Sequence, residues 1–68
     1  MKAISGKRLC YLLRQKGWQH KRTTSSHHIY SKKGEYYAIS IPVHGSKSLK
    51  IGLQGKIMKI AGIEESEL

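Results

Sequence analysis

The sequence predicts an α+β domain in the order α-β-β-β-α, with a three-stranded antiparallel sheet carrying both helices on one face. Three observations support this prediction: a capped amphipathic segment at the start, a central stretch of β-branched and aromatic residues, and a second apolar helical stretch near the end. The 68 residues are enough for one domain, which we expect to span residues 1–68.

The first helix has clear start and stop signals. Ser5 can cap its N-terminus, Ile4 can pack against Leu9 as a hydrophobic staple, and Gly17 can end it. An apolar stripe at i, i+3 and i+4 follows the cap, formed by Leu9, Leu12 and Leu13. The single cysteine, Cys10, lies in the middle of this helix and is expected to be a packing residue.

The period then changes to that of strands. Polar and glycine-containing turns separate three predicted strands, at Trp18–Thr24, His27–Ser31 and Tyr36–Val43. Short connections favour an antiparallel meander. In the third strand the residues expected to share one face are Tyr37, Ile39, Ile41 and Val43.

A second helix is predicted from a Ser48 cap to about Ala61, with Gly62 as its stop. Its apolar positions are Leu53, Ile57 and Ile60. Gly52 and Gly55 each weaken a helix interior by about 1 kcal/mol relative to alanine. We therefore expect them to allow close approach to another backbone.

Charge is the most informative bulk property. Thirteen Lys and Arg residues against four acids give a formal net charge of +9, and residues 1–63 alone carry +12 because Glu35 is their only acid. Such a surface favours a polyanion, above all nucleic acid. The acidic tail, residues 64–68, is expected to be a solvated end; contact with the chain's own basic face is the alternative.

Several function classes are disfavoured. The chain lacks the apolar run of a signal peptide and any stretch long enough to span a membrane, so we expect a cytoplasmic protein. No cofactor or metal is expected, because there is no aspartate and the histidines lack metal-ligand spacing. Those histidines are His20, His27, His28 and His44.

The adjacent pair His27 and His28 lies on a predicted strand, so the two side chains must point to opposite faces. If Ile29 faces the helices, His27 does too, and His28 shares the open face with Tyr30. RNA could lie on that open face. His28 is therefore the candidate catalytic residue, although a one-residue register slip would invert the assignment.

One histidine in a basic setting suits RNA transesterification, in which the 2′-OH attacks the adjacent phosphate and the 5′-oxygen leaves. Cationic neighbours would stabilise the phosphate charge, and the candidates are Lys21, Arg22, Lys32 and Lys33. Ser26 and Tyr30 could hydrogen-bond the substrate. For a second acid or base, His44, Lys21 and Tyr30 stay open, and His44 is also a candidate substrate contact.

The order of motifs resembles the HicA toxin family. The similar segments run over nearly the whole chain: Ser5-Gly6-Lys7-x-Leu9, Leu12-Leu13, Gly17-Trp18, Arg22, Ser25-Ser26-His27-His28-Ile29-Tyr30, Ile41-Pro42-Val43-His44-Gly45, Leu49-Lys50-x-Gly52 and Ala61-Gly62-Ile63. The resemblance implies a double-stranded-RNA-binding-domain-like fold and an mRNA interferase. The absence of aspartate and of metal-ligand spacing makes the expected mechanism metal-independent.

The resemblance also implies a role for His28, since the family's catalytic histidine is the second of the pair. It further implies a HicB-like antitoxin partner, whose surface should be acidic or phosphate-mimicking. Ser25 departs from the family pattern, which has glycine there, and serine fits poorly if that position needs a positive φ. The alternatives are a non-catalytic RNA-binding module of the same fold and a small basic structural protein of a ribonucleoprotein.

Overall fold

The computed structural model describes all 68 residues and confirms the predicted element order. The elements are α1 (Gly6–Gln15), β1 (Gln19–Thr24), β2 (His27–Ser31), β3 (Ile39–Pro42), α2 (Ile51–Ala61) and a short 3₁₀ helix, η1 (Glu65–Glu67). The strands form one antiparallel sheet in the order β1-β2-β3.

Helix α1 begins and ends where its local signals predict. The Ser5 hydroxyl accepts a hydrogen bond from the Arg8 backbone N–H at 3.0 Å, which satisfies one of the free amides of the first turn. At the other end Gly17 adopts a φ of 91°, a conformation open to glycine. The buried face contains the predicted leucine stripe and Cys10.

Strand β3 is shorter than predicted. Pairing between β2 and β3 starts at Tyr30–Ile39, so Tyr36 and Tyr37 precede the strand and are exposed, Tyr36 at 92%. Their rings contact each other edge to face, with centroids 5.0 Å apart. The aromatic composition predicted strand here, but without a partner strand these residues have no ladder to join.

The core lies between one sheet face and the helices. Its fully buried side chains include Leu9 and Leu13 from α1, Tyr30 from β2 and Ile41 from β3. The same core cluster also contains Trp18, Ile57, Met58 and Ile63.

Helix α2 departs from prediction at its start and on its buried face. It begins at Ile51, with Lys50 in the cap position and no side-chain cap, because Ser48 pairs instead with Ser5 in an isolated antiparallel bridge. Gly62 ends the helix with a φ of 71°, as predicted. The buried positions are Gln54, Ile57 and Met58, whereas Leu53 is half-buried and Ile60 is 39% exposed.

The expected role of the α2 glycines is wrong. A Cβ at Gly52 would meet no atom within 4 Å, and one at Gly55 would meet only the Met1 side chain at 3.2 Å. The close approach occurs at Gly6 instead, where a Cβ would collide with the Pro42 carbonyl oxygen.

The acidic tail is exposed at Glu64, Glu65 and Ser66, but its last two residues are half-buried against the domain. Ile63 is buried and Leu68 packs against the core. Glu67 forms a salt bridge with Lys16 at 2.8 Å, and Glu65 lies 3.3 Å from the terminal amine of Met1. Neither of these basic groups belongs to the predicted phosphate-binding set.

Candidate active site

Strand β2 presents His28 to the helix-covered side of the sheet, which reverses the predicted faces. His28 pairs with Ile41 and Tyr30 pairs with Ile39. Directly opposed residues in an antiparallel pair share a face, and both isoleucines are in the core. His27 and Ile29 therefore lie on the open face.

The physical reason is the size and chemistry of Tyr30. Its ring fills the core at 1% exposure, and its hydroxyl accepts a hydrogen bond from Arg14 Nη1 at 2.8 Å. A tyrosine with a satisfied hydroxyl buries more apolar surface than Ile29 could. The predicted contact between Tyr30 and a substrate does not agree with this burial.

His28 nevertheless stays within reach of solvent. Exposure along β2 changes from the exposed His27, through a half-buried His28 and Ile29, to the buried Tyr30. His28 thus lies at the margin of the core, where an imidazole can contact a bound molecule while one side rests on protein.

A second histidine lies beside it. The rings of His20 and His28 are 5.6 Å apart between centroids, and His20 also contacts the Tyr30 ring edge to face at 5.5 Å. The His20 Nε2 atom is hydrogen-bonded to Thr23 Oγ1 at 2.9 Å. The sequence pattern indicated His20 only as a possible metal ligand and did not predict that it lies beside His28.

A β-bulge in β1 places His20 next to His28. Thr23 opposes His28 and Arg22 opposes Ile29, but the next opposed pair is His20–Tyr30, so Lys21 is the extra residue. In an unbroken ladder Lys21 would oppose Tyr30, and His20 would lie on the open face. No glycine or proline marks this position, so composition gives no signal for it.

Beneath the two rings lies a small polar cluster from α1 and β2. Burial raises the pKa of the Cys10 thiol and the pKa of the Tyr30 hydroxyl, so both groups stay protonated at neutral pH. Arg14, which contacts the Tyr30 hydroxyl, is exposed and adds a permanent positive charge beside the histidines.

The other predicted substrate contacts fall into separate groups. Lys21, Lys32 and Lys33 line one surface depression together with Gly17, and the acidic Glu35 lines it too. At the opposite end of β2, Ser26 Oγ is 3.5 Å from His44 Nε2.

Arg22 stands apart from both groups, because it shares the open face with Ile29. The structure therefore gathers the predicted lysines but places Arg22 on the face opposite His28. Nowhere in the chain are three His, Cys, Asp or Glu side chains grouped so that they could hold a metal ion. None of the helices is both long and apolar enough to span a lipid bilayer.

These features define a small basic α+β domain of the double-stranded-RNA-binding type, with a pair of histidines at the margin of its sheet. The family model described as the HicA toxin of bacterial toxin-antitoxin systems matches residues 6–63. The chain therefore belongs to the HicA toxin family. A search of curated proteins found no match.

Proposed function

We propose that this chain is the toxin of a toxin–antitoxin pair and acts as a metal-independent endoribonuclease on mRNA, with His28 as a general acid or base. The observation that carries the proposal is the half-buried His28 at the edge of a strongly basic surface. Family membership supports the toxin role.

The chemistry suits an imidazole with cationic neighbours. Deprotonation of the 2′-OH creates a nucleophile that attacks the adjacent phosphorus, and the 5′-oxygen leaves as it gains a proton. His28 performs one of these two proton transfers. DNA lacks the 2′-OH, so the reaction selects RNA.

Basic side chains hold the phosphates and stabilise the charge that develops on them. Lys21, Lys32 and Lys33 share one depression and form the main proposed phosphate contact. Ser26 and His44 can contact the backbone at the other end of β2. Arg22, on the far face, contributes to long-range attraction of the polyanion.

The proposed partner is a HicB-like antitoxin that covers this basic surface. A competitor for a phosphate-binding surface should present carboxylates or another phosphate-like group. We place both partners in the cytoplasm, where mRNA is found.

The test compares wild type, His28→Ala and His27→Ala on a long unstructured RNA, with and without EDTA. His27 is the matched control, because it is adjacent in sequence but exposed on the opposite face. We expect cleavage by wild type and His27→Ala that survives chelation, and a loss of about 10²–10⁴-fold in His28→Ala. Equal cleavage by all three would refute the role of His28. Tight binding without cleavage would instead favour a non-catalytic RNA-binding module.

A further inference from the structure

The two rings of His20 and His28 form an isolated pair at the margin of the sheet. We infer that His20 is the second proton-transfer group, so that one histidine of the pair acts as base and the other as acid on the same phosphodiester. This inference rests on the proposed ribonuclease function.

The first support is distance. Each imidazole must come within about 2.6–3.2 Å of its own oxygen on the reacting group. With centroids 5.6 Å apart and planes tilted by 57°, the two imidazoles are close enough for each to reach an oxygen of the same phosphodiester. The entering 2′-oxygen and the leaving 5′-oxygen are on opposite sides of the phosphorus, which calls for two groups rather than one.

The second support is orientation. The hydrogen bond between His20 Nε2 and Thr23 Oγ1 leaves Nδ1 without a hydrogen bond to protein. Active-site bases are commonly held in place by such a third group, which fixes ring orientation. The edge-to-face contact with Tyr30 restrains the same ring from below.

The third support is the placement of the other candidates. Tyr30 is buried and its hydroxyl is bound to Arg14. His44 lies beside Ser26 at the same end of β2 as His28, but its ring makes no contact with the His28 ring, whereas the His20 ring does. Lys21 Nζ donates to Gln19 Oε1 at 3.4 Å and, as an ammonium group, suits charge stabilisation better than proton abstraction.

The proton balance closes within the pair. The neutral imidazole takes the 2′-OH proton as the 2′-oxygen bonds to phosphorus, and the P–O5′ bond breaks as the imidazolium of the other residue protonates the 5′-oxygen. The products are a 2′,3′-cyclic phosphate and a 5′-hydroxyl. Before the step the acid carries the extra proton, and after it the base does, so the number of protons on the pair is unchanged.

The first experiment measures single-turnover cleavage by wild type, His20→Ala, His28→Ala and the double variant, with His27→Ala as control. Each single loss should reduce the rate by about 10²–10⁴-fold, and the double variant should be no slower than the worse single one, because the two residues act as a unit. His20→Asn, which can keep a hydrogen bond to Thr23, should be as slow as His20→Ala. Melting curves should show that the variants remain folded, since His20 is exposed.

The second experiment separates the acid from the base. A substrate with a 5′-thio leaving group needs no protonation, so the variant lacking the acid should recover most of its rate, whereas the variant lacking the base should not. The pH–rate profile of wild type should be bell-shaped, and each single variant should lose one limb. The charged and titratable groups around the rings, Arg14 and Cys10 from α1, Tyr30 from β2 and Lys21 from β1, are unchanged in these variants.

The outcomes distinguish the two proposals. Normal cleavage by His20→Ala with loss in His28→Ala would overturn the pairing and leave the ribonuclease intact. Rescue of His20→Ala activity by His20→Asn would reduce His20 to a positioning residue and also overturn the inference. Absence of cleavage by wild type would remove the proposed function itself.

Discussion

Replacing glycine by alanine should have opposite effects on stability at Gly6 and at Gly52. Both residues are helical glycines, yet their surroundings differ completely. A Cβ at Gly6 would clash with the Pro42 carbonyl oxygen and would lie 3.2 Å from Val43 Cγ2. A Cβ at Gly52 would meet open space.

The magnitude at Gly6 follows from what must move. The obstructing atom is backbone, and the chain there is fixed by the β2–β3 ladder and by the Val43 N–H donating to the Ser26 carbonyl at 2.8 Å. Overpacking costs about 1–3 kcal/mol, and because this obstructing atom is fixed backbone we expect a cost in the upper half of that range. The reduced entropy of the unfolded chain offsets about 0.4–1 kcal/mol of that cost, and at Gly52 the same term acts alone.

The assay is thermal unfolding of both variants in a His28→Ala background, because the proposed function predicts that this change removes toxicity during expression. For a domain of this size 1 kcal/mol corresponds to about 4–8 °C in Tm. Gly6→Ala should therefore lower Tm by several degrees or more, and Gly52→Ala should raise it by about 2–8 °C. An unchanged or higher Tm for Gly6→Ala would show that α1 and the end of β3 are not in close contact.

Three further predictions concern single side chains. Ser25→Gly should raise the free energy of unfolding by about 1 kcal/mol in urea titrations, because Ser25 adopts a φ of 56° that glycine tolerates without strain. Gln54→Leu should lower it by about 1–3 kcal/mol, because the buried Gln54 Oε1 accepts from the Ile4 N–H at 2.9 Å and leucine leaves that amide unpaired. Burial raises the pKa of Cys10 and the pKa of Tyr30, so the folded state binds more protons than the unfolded state at high pH. This contribution to the free energy of unfolding should be fully present below about pH 8.5 and fall as pH rises further. Alkylation of the Cys10 thiol should be slow in the native state. A rise in stability above about pH 8.5 would contradict the direction of the two pKa shifts.

Local signals predicted the parts of the fold that depend on local interactions. The Ser5 cap and the Gly17 and Gly62 stops need only the residues around them, and all three are found where the pattern indicates. The sequence left open whether Ser25 needs a positive φ, and the structure gives it a φ of 56° in the two-residue turn between β1 and β2.

Long-range packing decided what the sequence could not predict. Ser48 has the composition of a cap but is recruited into a bridge with Ser5, more than forty residues away. Gln54 was not expected in the core, and its burial depends on hydrogen bonds to the N-terminal segment at Ile4 and Lys2. The partners of Ser48 and Gln54 are far away in the sequence, so a local sequence pattern cannot predict these contacts.

The strand faces show how one wrong assumption inverts a site. Alternation separated His27 from His28 correctly, but their faces depended on choosing between Ile29 and Tyr30 as the inward residue. The prediction assumed that Ile29 faces the helices, whereas the structure buries Tyr30, whose hydroxyl accepts a hydrogen bond from Arg14. Since the side-chain period is two, that choice reverses every residue of the strand.

The bulge at Lys21 has the opposite effect and makes the site more compact than alternation alone would. It places His20 on the same side as His28 while leaving Arg22 on the open face. An inserted residue costs one ladder pairing, which a fold with only three short strands has little reason to give up for stability alone. The cost is understandable if the bulge serves to bring a second imidazole to His28.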